Sequence, residues 1–165
     1  MSTPAQTVNT KKSLRREVSY PSLQAVLIDA GRLMAAESAG TLRPTGNWSL
    51  GQALGHLAAW IDFAYDGYPG RLPWFVRLLG PLMKNRMLHR SASPGIRIPG
   101  VPGGTHATEP LSTPEGYQRL ERAIGRAMAQ APSRPNPLLG PLSHEEFMLL
   151  HRRHAELHLS FFWIA

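Results

Sequence analysis

The sequence predicts an all-α protein: a four-helix bundle with a long crossover and an extra helix inserted between the second and third bundle helices. Apolar residues recur at helical spacing in five segments, and cap or turn residues stand at the ends of these segments. We find no convincing strand in the sequence. A chain of 165 residues is long enough for one domain with a sizeable core and short for two.

Composition narrows the classes of partner and of chemistry. The 18 Lys and Arg residues against 11 Asp and Glu give a net charge of +7. Four of these cations are grouped near the N-terminus, and the others are scattered without the interleaved aromatic residues that would stack bases, so we expect no nucleic-acid partner. Cysteine is absent. Disulfides, thiolate metal ligands and a cysteine nucleophile are therefore excluded, and any metal must be held by nitrogen and oxygen.

The start of the chain shows neither a secretory signal nor helical periodicity. Residues 1–19 are rich in Ser, Thr, Gln and Lys, and we interpret them as a flexible arm, with a single domain over residues 20–165. No apolar run approaches the roughly 18 residues needed to cross a bilayer. We expect a soluble, cytoplasmic protein.

The first two bundle helices follow. From Ser22 to about Glu37 the apolar residues keep a helical period, and a loop with Pro44 comes next. Asn47 or Ser49 caps the second helix. His56 lies there beside the main apolar stripe, so we expect it to point into the bundle or its edge. For a lone histidine in that place, a core residue satisfied by a carbonyl is the simpler interpretation.

The inserted helix is predicted over 73–90, with Gly80-Pro81 kinking or dividing it. Its large apolar residues are too many for a solvated surface, so we expect the bundle or a second subunit to cover them, which allows a homodimer. Docking on a membrane surface is the alternative, because basic residues occupy the other faces. The apolar face consists of Phe75, Leu78, Leu79 and Leu82.

The second half of the chain begins with a long crossover, residues 91–112, which is too rich in Pro and Gly for a regular helix. His106 lies in it, and we interpret it as a solvated loop residue. Thr113-Pro114-Glu115 then starts the third bundle helix, which runs to about Ala131.

The last helix carries the most informative pattern. Ser143 and Glu146 form a predicted capping box. His154 and His158 are one turn apart, so their rings lie about 40° apart on one face, where both can reach one ion. His151 is a reserve candidate one turn earlier.

Taken together, the histidines make the sequence resemble the DinB-like superfamily of metal-binding four-helix bundles. In that superfamily one histidine of the second helix and an H-x-x-x-H pair of the fourth bind a divalent metal. The matching residues are His56, His154 and His158. Two stretches, residues 45–52 and 153–161, are similar to a bacterial branch of the superfamily classed as a domain of unknown function. The resemblance covers nearly the whole chain from about Arg16.

A site of three neutral imidazoles would leave a zinc or nickel ion with an open coordination position, as in catalytic rather than structural sites. The resemblance implies a metal-dependent transferase that joins a thiol cosubstrate to a small-molecule electrophile, and a hydrolase is equally compatible. A non-catalytic metal- or ligand-binding bundle is the alternative. Asp62, Tyr65 and Asp66 are the candidates for a proton-transferring group. Because metal binding needs neutral histidines, we expect it to fade as the pH falls through about 6.5.

Overall fold

A computed structural model describes residues 7–70, 72–90, 93–98 and 101–165. This part of the chain is mostly helical, with five α-helices and one two-stranded sheet, which agrees with the predicted all-α class. The α-helices are α1 (Leu23–Ser38), α2 (Leu50–Asp66), α3 (Trp74–His89), α4 (Thr113–Ala129) and α5 (His144–Leu159). The strands are β1 (Leu42–Pro44) and β2 (Phe162–Ile164). No helix in the described ranges is long and apolar enough to cross a membrane.

The helix starts follow from the predicted caps. The Ser49 side chain accepts the N–H of Gln52 at the start of α2. In α5, Ser143 Oγ accepts the N–H of Glu146, and the Glu146 carboxylate accepts the N–H of Ser143. Each cap satisfies backbone N–H groups that have no partner within the helix, which fixes where the helix begins.

The core lies between α1, α2, α4 and α5. Helix α2 is apolar on almost all sides and is buried along most of its length. Helices α2 and α4 approach unusually closely, because glycines face each other at their contact. A methyl group added at Gly116 would lie 2.4 Å from the Gly51 carbonyl oxygen, and one at Gly51 would lie 2.3 Å from the Leu111 carbonyl oxygen.

Two short strands, which the sequence did not predict, join the start of the bundle to its end. Strands β1 and β2 pair antiparallel, with Leu42 opposite Ile164 and Pro44 opposite Phe162. The last helix therefore ends at Leu159, before the two phenylalanines that follow the histidine pair. Three-residue strands are too short to show an alternating pattern, so sequence periodicity does not reveal them.

The N-terminal segment contacts the bundle from residue 8 onward. The Asn47 amide accepts the N–H of Val8 and donates to its carbonyl oxygen. Arg16 forms an ion pair with Asp29 at 2.5 Å and donates to the carbonyl oxygen of Leu159 at 3.3 Å. Residues 1–6 of the predicted arm lie outside the described residues. The division into an arm over 1–19 and a domain over 20–165 stays a prediction.

Helix α3 lies beside α5 and comes between α2 and α4 in chain order, at the predicted position. It continues through Pro81 and is not divided there. Only Gly80 and Leu88 are buried. The prediction that the bundle covers its apolar face is wrong: Leu78 is 67% exposed and Leu82 is 80% exposed. The contact with the rest of the chain uses Gly80 instead, where an added methyl group would overlap the backbone of Leu138. Covering by a second subunit stays a prediction.

The described part of the crossover between α3 and α4 is irregular, as predicted, apart from a 3₁₀ turn over Pro102–Gly104. Residues 91, 92, 99 and 100 of this predicted segment lie outside the described residues. Ala107 adopts a positive φ of 57°, a left-handed conformation that is uncommon for a residue with a side chain. Its carbonyl group lies against a histidine of α2, so this irregular backbone belongs to the site described next.

Candidate metal centre

Three histidine side chains from two helices lie close together. His56 comes from α2, and His154 and His158 come from α5. The Nε2 atom of His154 lies 3.3 Å from Nε2 of His56 and 3.0 Å from Nε2 of His158. One ligand atom from each residue lies within 4.8 Å of the others. Nitrogen atoms that share one ion tetrahedrally, at about 2.1 Å each, lie about 3.4 Å apart, so the three rings need only small adjustments to hold one ion.

Two backbone carbonyl groups fix the orientation of the His56 ring. Its Nδ1 lies 3.0 Å from the oxygen of His106 and 3.3 Å from that of Ala107. A carbonyl oxygen can only accept, so Nδ1 carries the proton and donates. In the neutral ring, Nε2 is then left with a lone pair that faces the other two histidines. Such a hydrogen bond from the remote nitrogen is the usual way in which a protein orients a metal-binding histidine.

Protons alone do not satisfy the three nitrogens. Nε2 of His56 carries no proton in the neutral ring, so a proton on His154 or His158 can be aligned with only one of the two close contacts made by His154. The other contact then brings two nitrogen atoms together with no proton aligned between them, or turns an N–H toward a nitrogen that is already protonated. Lone pairs that converge in this way repel each other unless a cation lies between them, so the donor set fits a metal ion.

The site disfavours positively charged histidines. Burial lowers the pKa of His56 to about 4, and the carbonyl contacts only partly oppose this. Burial, and then the neighbouring His158 and His56, lower the pKa of His154 well below its usual value. Burial and His56 do the same for His158. All three imidazoles are therefore neutral at pH 7, which is the form that binds metals.

Aromatic rings surround the histidine cluster. The Trp48 ring stacks on His158, with 5.0 Å between ring centroids and 3° between planes. The Trp60 ring meets His154 edge to face at 5.7 Å. These contacts restrict the rotamers of both histidines. Trp48 was not predicted as part of the site. The carbonyl groups of His106 and Ala107 were not predicted either, since a backbone acceptor leaves no mark in the sequence. The aromatic residue at position 48, next to the cap of α2, was the one available signal.

The other polar candidates lie elsewhere. Asp62 and Asp66 both contact Arg126 of α4, at 3.4 Å and 2.9 Å. The hydroxyl of Tyr65 donates to the carbonyl oxygen of Gln130. Glu156 lies on the opposite side of α5 from His154 and accepts the N–H of Tyr20. None of these four residues is among the described residues that line the cavity around the cluster.

His151, the reserve candidate, is buried but does not join the group of three. Its ring meets Phe147 edge to face at 4.5 Å, and its Nε2 has no hydrogen-bond partner among the described residues. Burial lowers its pKa to about 3. An unpartnered buried nitrogen costs stability, because its hydration is lost and nothing replaces it.

We therefore expect His151→Leu to stabilise the metal-free protein by about 1 kcal/mol at pH 7. The wild type should lose stability as the pH falls from 6.5 toward 3, because His151 takes up a proton in the unfolded chain but stays neutral in the folded one. Over that range the free energy of unfolding should fall by about 1.4 kcal/mol less per pH unit in the variant than in the wild type. Urea unfolding at pH 7, 6 and 5 measures both effects. A destabilised variant at pH 7 would show that His151 has a partner or a packing role that leucine does not replace.

The cluster lies in an open cavity of about 1850 Å³, bounded by α2, α3, α5 and the crossover. Tyr68 is the one tyrosine on the described part of its wall, and burial raises the pKa of its hydroxyl to about 12. All three histidines line this cavity. Carboxylates are absent from its described lining.

Comparison with curated proteins and with solved structures gives no match. A family profile matches residues 12–164, which is nearly the whole chain and includes all three histidines of the cluster. The chain therefore belongs to the DUF1569 family, described as proteins of unknown function.

Proposed function

We propose that His56, His154 and His158 bind one divalent metal ion, zinc or nickel, in a bundle of the DinB-like kind. The observation that carries the proposal is the meeting of three Nε2 atoms with too few protons to satisfy them. The fixed proton on His56 Nδ1 supports it, because it leaves Nε2 free to ligate. Three nitrogen ligands and no carboxylate suit zinc and nickel better than magnesium or calcium, which prefer oxygen.

The same geometry favours a catalytic centre over a structural one. Structural zinc sites have four protein ligands, and three leave a position open. When bound, an ion of this kind lowers the pKa of the water or thiol that it coordinates. The cavity gives a small-molecule substrate or thiol cosubstrate access to that position.

Between the two reactions, thiol transfer suits the cavity better than hydrolysis. Hydrolysis usually uses a general base, and the candidates Asp62, Tyr65 and Asp66 face α4 instead of the cavity. A thiolate held by a metal is already a nucleophile and needs no protein base. We therefore infer a metal-dependent thiol transferase in the cytoplasm. A non-catalytic metal-binding bundle is the second candidate, favoured by the absence of any carboxylate from the described cavity wall.

Metal analysis of the purified protein tests the proposal. After dialysis against trace zinc or nickel, the wild type should hold close to one ion per chain, and His154→Ala should hold almost none. His89→Ala is the matched control, because His89 is exposed on α3 and lies outside the cluster. Equal metal content in the wild type and His154→Ala would reject the site.

A further inference from the structure

The charged side chains that line the described part of the cavity around the histidine cluster are all positive. Its described lining contains five arginines and no Asp or Glu. The sequence shows the same bias over residues 67–108, which include six Arg or Lys residues and no carboxylate. Six of the seven units of net positive charge therefore fall in a quarter of the chain. The arginines of the lining are Arg77, Arg86, Arg90, Arg97 and Arg153.

Four of these arginines are available to a ligand. Arg153 is engaged, since it pairs with Glu156 at 2.8 Å. The other four are exposed, and within the described ranges none of them has a carboxylate at ion-pair distance. We call Arg77, Arg86, Arg90 and Arg97 the arginine rim. Guanidinium groups bind carboxylates and phosphates through paired hydrogen bonds, so the rim is suited to an anion.

Apolar side chains line the same cavity as the arginine rim and the histidines. Helix α3 contributes Leu78 and Met83, and the crossover contributes Ile98. Trp48 and Trp60 lie at the inner end beside the cluster. Leu78 is 67% exposed although it lines the cavity, and Trp74 and Met83 of the same lining are 76% and 48% exposed. Large exposed apolar patches mark binding sites more often than solvated faces.

We propose that the cavity binds an amphipathic anion, a molecule with a carboxylate, phosphate or sulfate at one end and a long apolar body. The anionic end contacts the arginine rim, and the apolar body lies along α3 toward the histidines. A second copy of the chain fits less well, because it would bring its own arginine rim against this one. The inference names the substrate class of the proposed metal site and in that sense rests on the proposed function.

Binding of simple alkyl carboxylates tests this inference. Octanoate, decanoate and dodecanoate, each below its micelle concentration, are titrated while the fluorescence of the cavity tryptophans is followed. Affinity should rise by up to about fourfold per added methylene, the gain from burying it. Dodecyltrimethylammonium, which has the same chain and a positive end, should bind at least tenfold more weakly than dodecanoate.

The double variant Arg86→Ala/Arg90→Ala should weaken dodecanoate binding by about tenfold, because two exposed guanidinium contacts are lost. Arg119→Ala is the matched control, since Arg119 is exposed on α4 and does not line the cavity. It should bind like the wild type. An unchanged affinity in the double variant, or equal binding of the cationic and anionic chains, would overturn the inference.

Running the titration on metal-free and zinc-treated protein separates the two proposals. Dodecanoate binding by protein that takes up no zinc in the zinc-treated arm would support the ligand class and reject the metal site. Zinc uptake by protein that binds no dodecanoate would do the reverse. A third arm uses vesicles containing phosphatidylglycerol. Binding to these vesicles without binding of monomeric dodecanoate would show that the arginine rim contacts a lipid surface and would overturn the inference.

Discussion

Replacing His158 with alanine is expected to abolish the metal-dependent part of the melting temperature and to leave the helix content nearly unchanged. An ion that binds only the folded chain stabilises it by about 2.7 kcal/mol at a free concentration 100 times its Kd. For a chain of this size that gain is about 5–10 °C. The bundle keeps its own apolar core, so the variant should still fold without metal. Thermal unfolding followed by circular dichroism, with and without zinc or nickel, measures the difference.

His89→Ala should respond to metal as the wild type does, because His89 lies outside the cluster. The pH range over which metal should stabilise the protein also differs from the one that the sequence predicts. Since burial holds the pKa of His56 near 4, protons compete with the metal for the folded site only well below 6.5. The gain from metal should therefore persist at pH 6 and fade toward pH 4. A metal response that is identical in His158→Ala and the wild type would exclude His158 as a ligand.

Gly116→Ala is expected to destabilise the fold by about 3 kcal/mol or more, the upper range for overpacking a core. The new methyl group would lie 2.4 Å from the carbonyl oxygen of Gly51, and the obstacle is backbone, which cannot turn aside as a side chain could. Helix α4 would have to move away from α2. Because α2 carries His56, the histidine cluster should also loosen, and the metal affinity should fall together with stability.

Gly125→Ala on the same helix is the control. Gly125 is exposed, and an added methyl group there meets nothing within 4 Å. This substitution should stabilise the protein by about 0.5–1 kcal/mol through helix propensity. Urea unfolding of both variants measures the contrast. A Gly116→Ala variant as stable as Gly125→Ala would show that α2 and α4 do not approach as closely as described.

The helices of the site could be predicted from local signals. The capping box at Ser143 and Glu146 fixes the start of α5, and the period of 3.6 residues puts His154 and His158 on one face. The place of His56 could be predicted only as inward, because His154 lies 98 residues away in sequence and His158 lies farther still. The resemblance to the DinB-like superfamily grouped His56, His154 and His158 into one predicted site. Their spacing in the sequence alone could not do so.

The parts that were missed depend on tertiary contacts. The carbonyl groups of His106 and Ala107 belong to an irregular crossover, and the sequence does not show where such a loop returns. The apolar face of α3 was expected to be covered, since large apolar residues usually mark a buried side. The helix instead packs through Gly80, whose missing side chain lets the backbone of Leu138 approach. A glycine is a weak signal of contact when read in sequence.

The anchoring of α5 to the N-terminal segment has a consequence for how fast the proposed metal centre would bind its ion. On the side away from the histidines, Glu156 accepts the N–H of Tyr20 at 3.0 Å, and Arg16 donates to the carbonyl oxygen of Leu159. The helix therefore cannot turn about its axis without breaking bonds to the N-terminal segment. The imidazoles are set in advance, and a ligand that arrives has little ordering entropy to overcome. Capture should then be limited by diffusion through the cavity mouth and by loss of water from the ion, with no slow rearrangement of the protein.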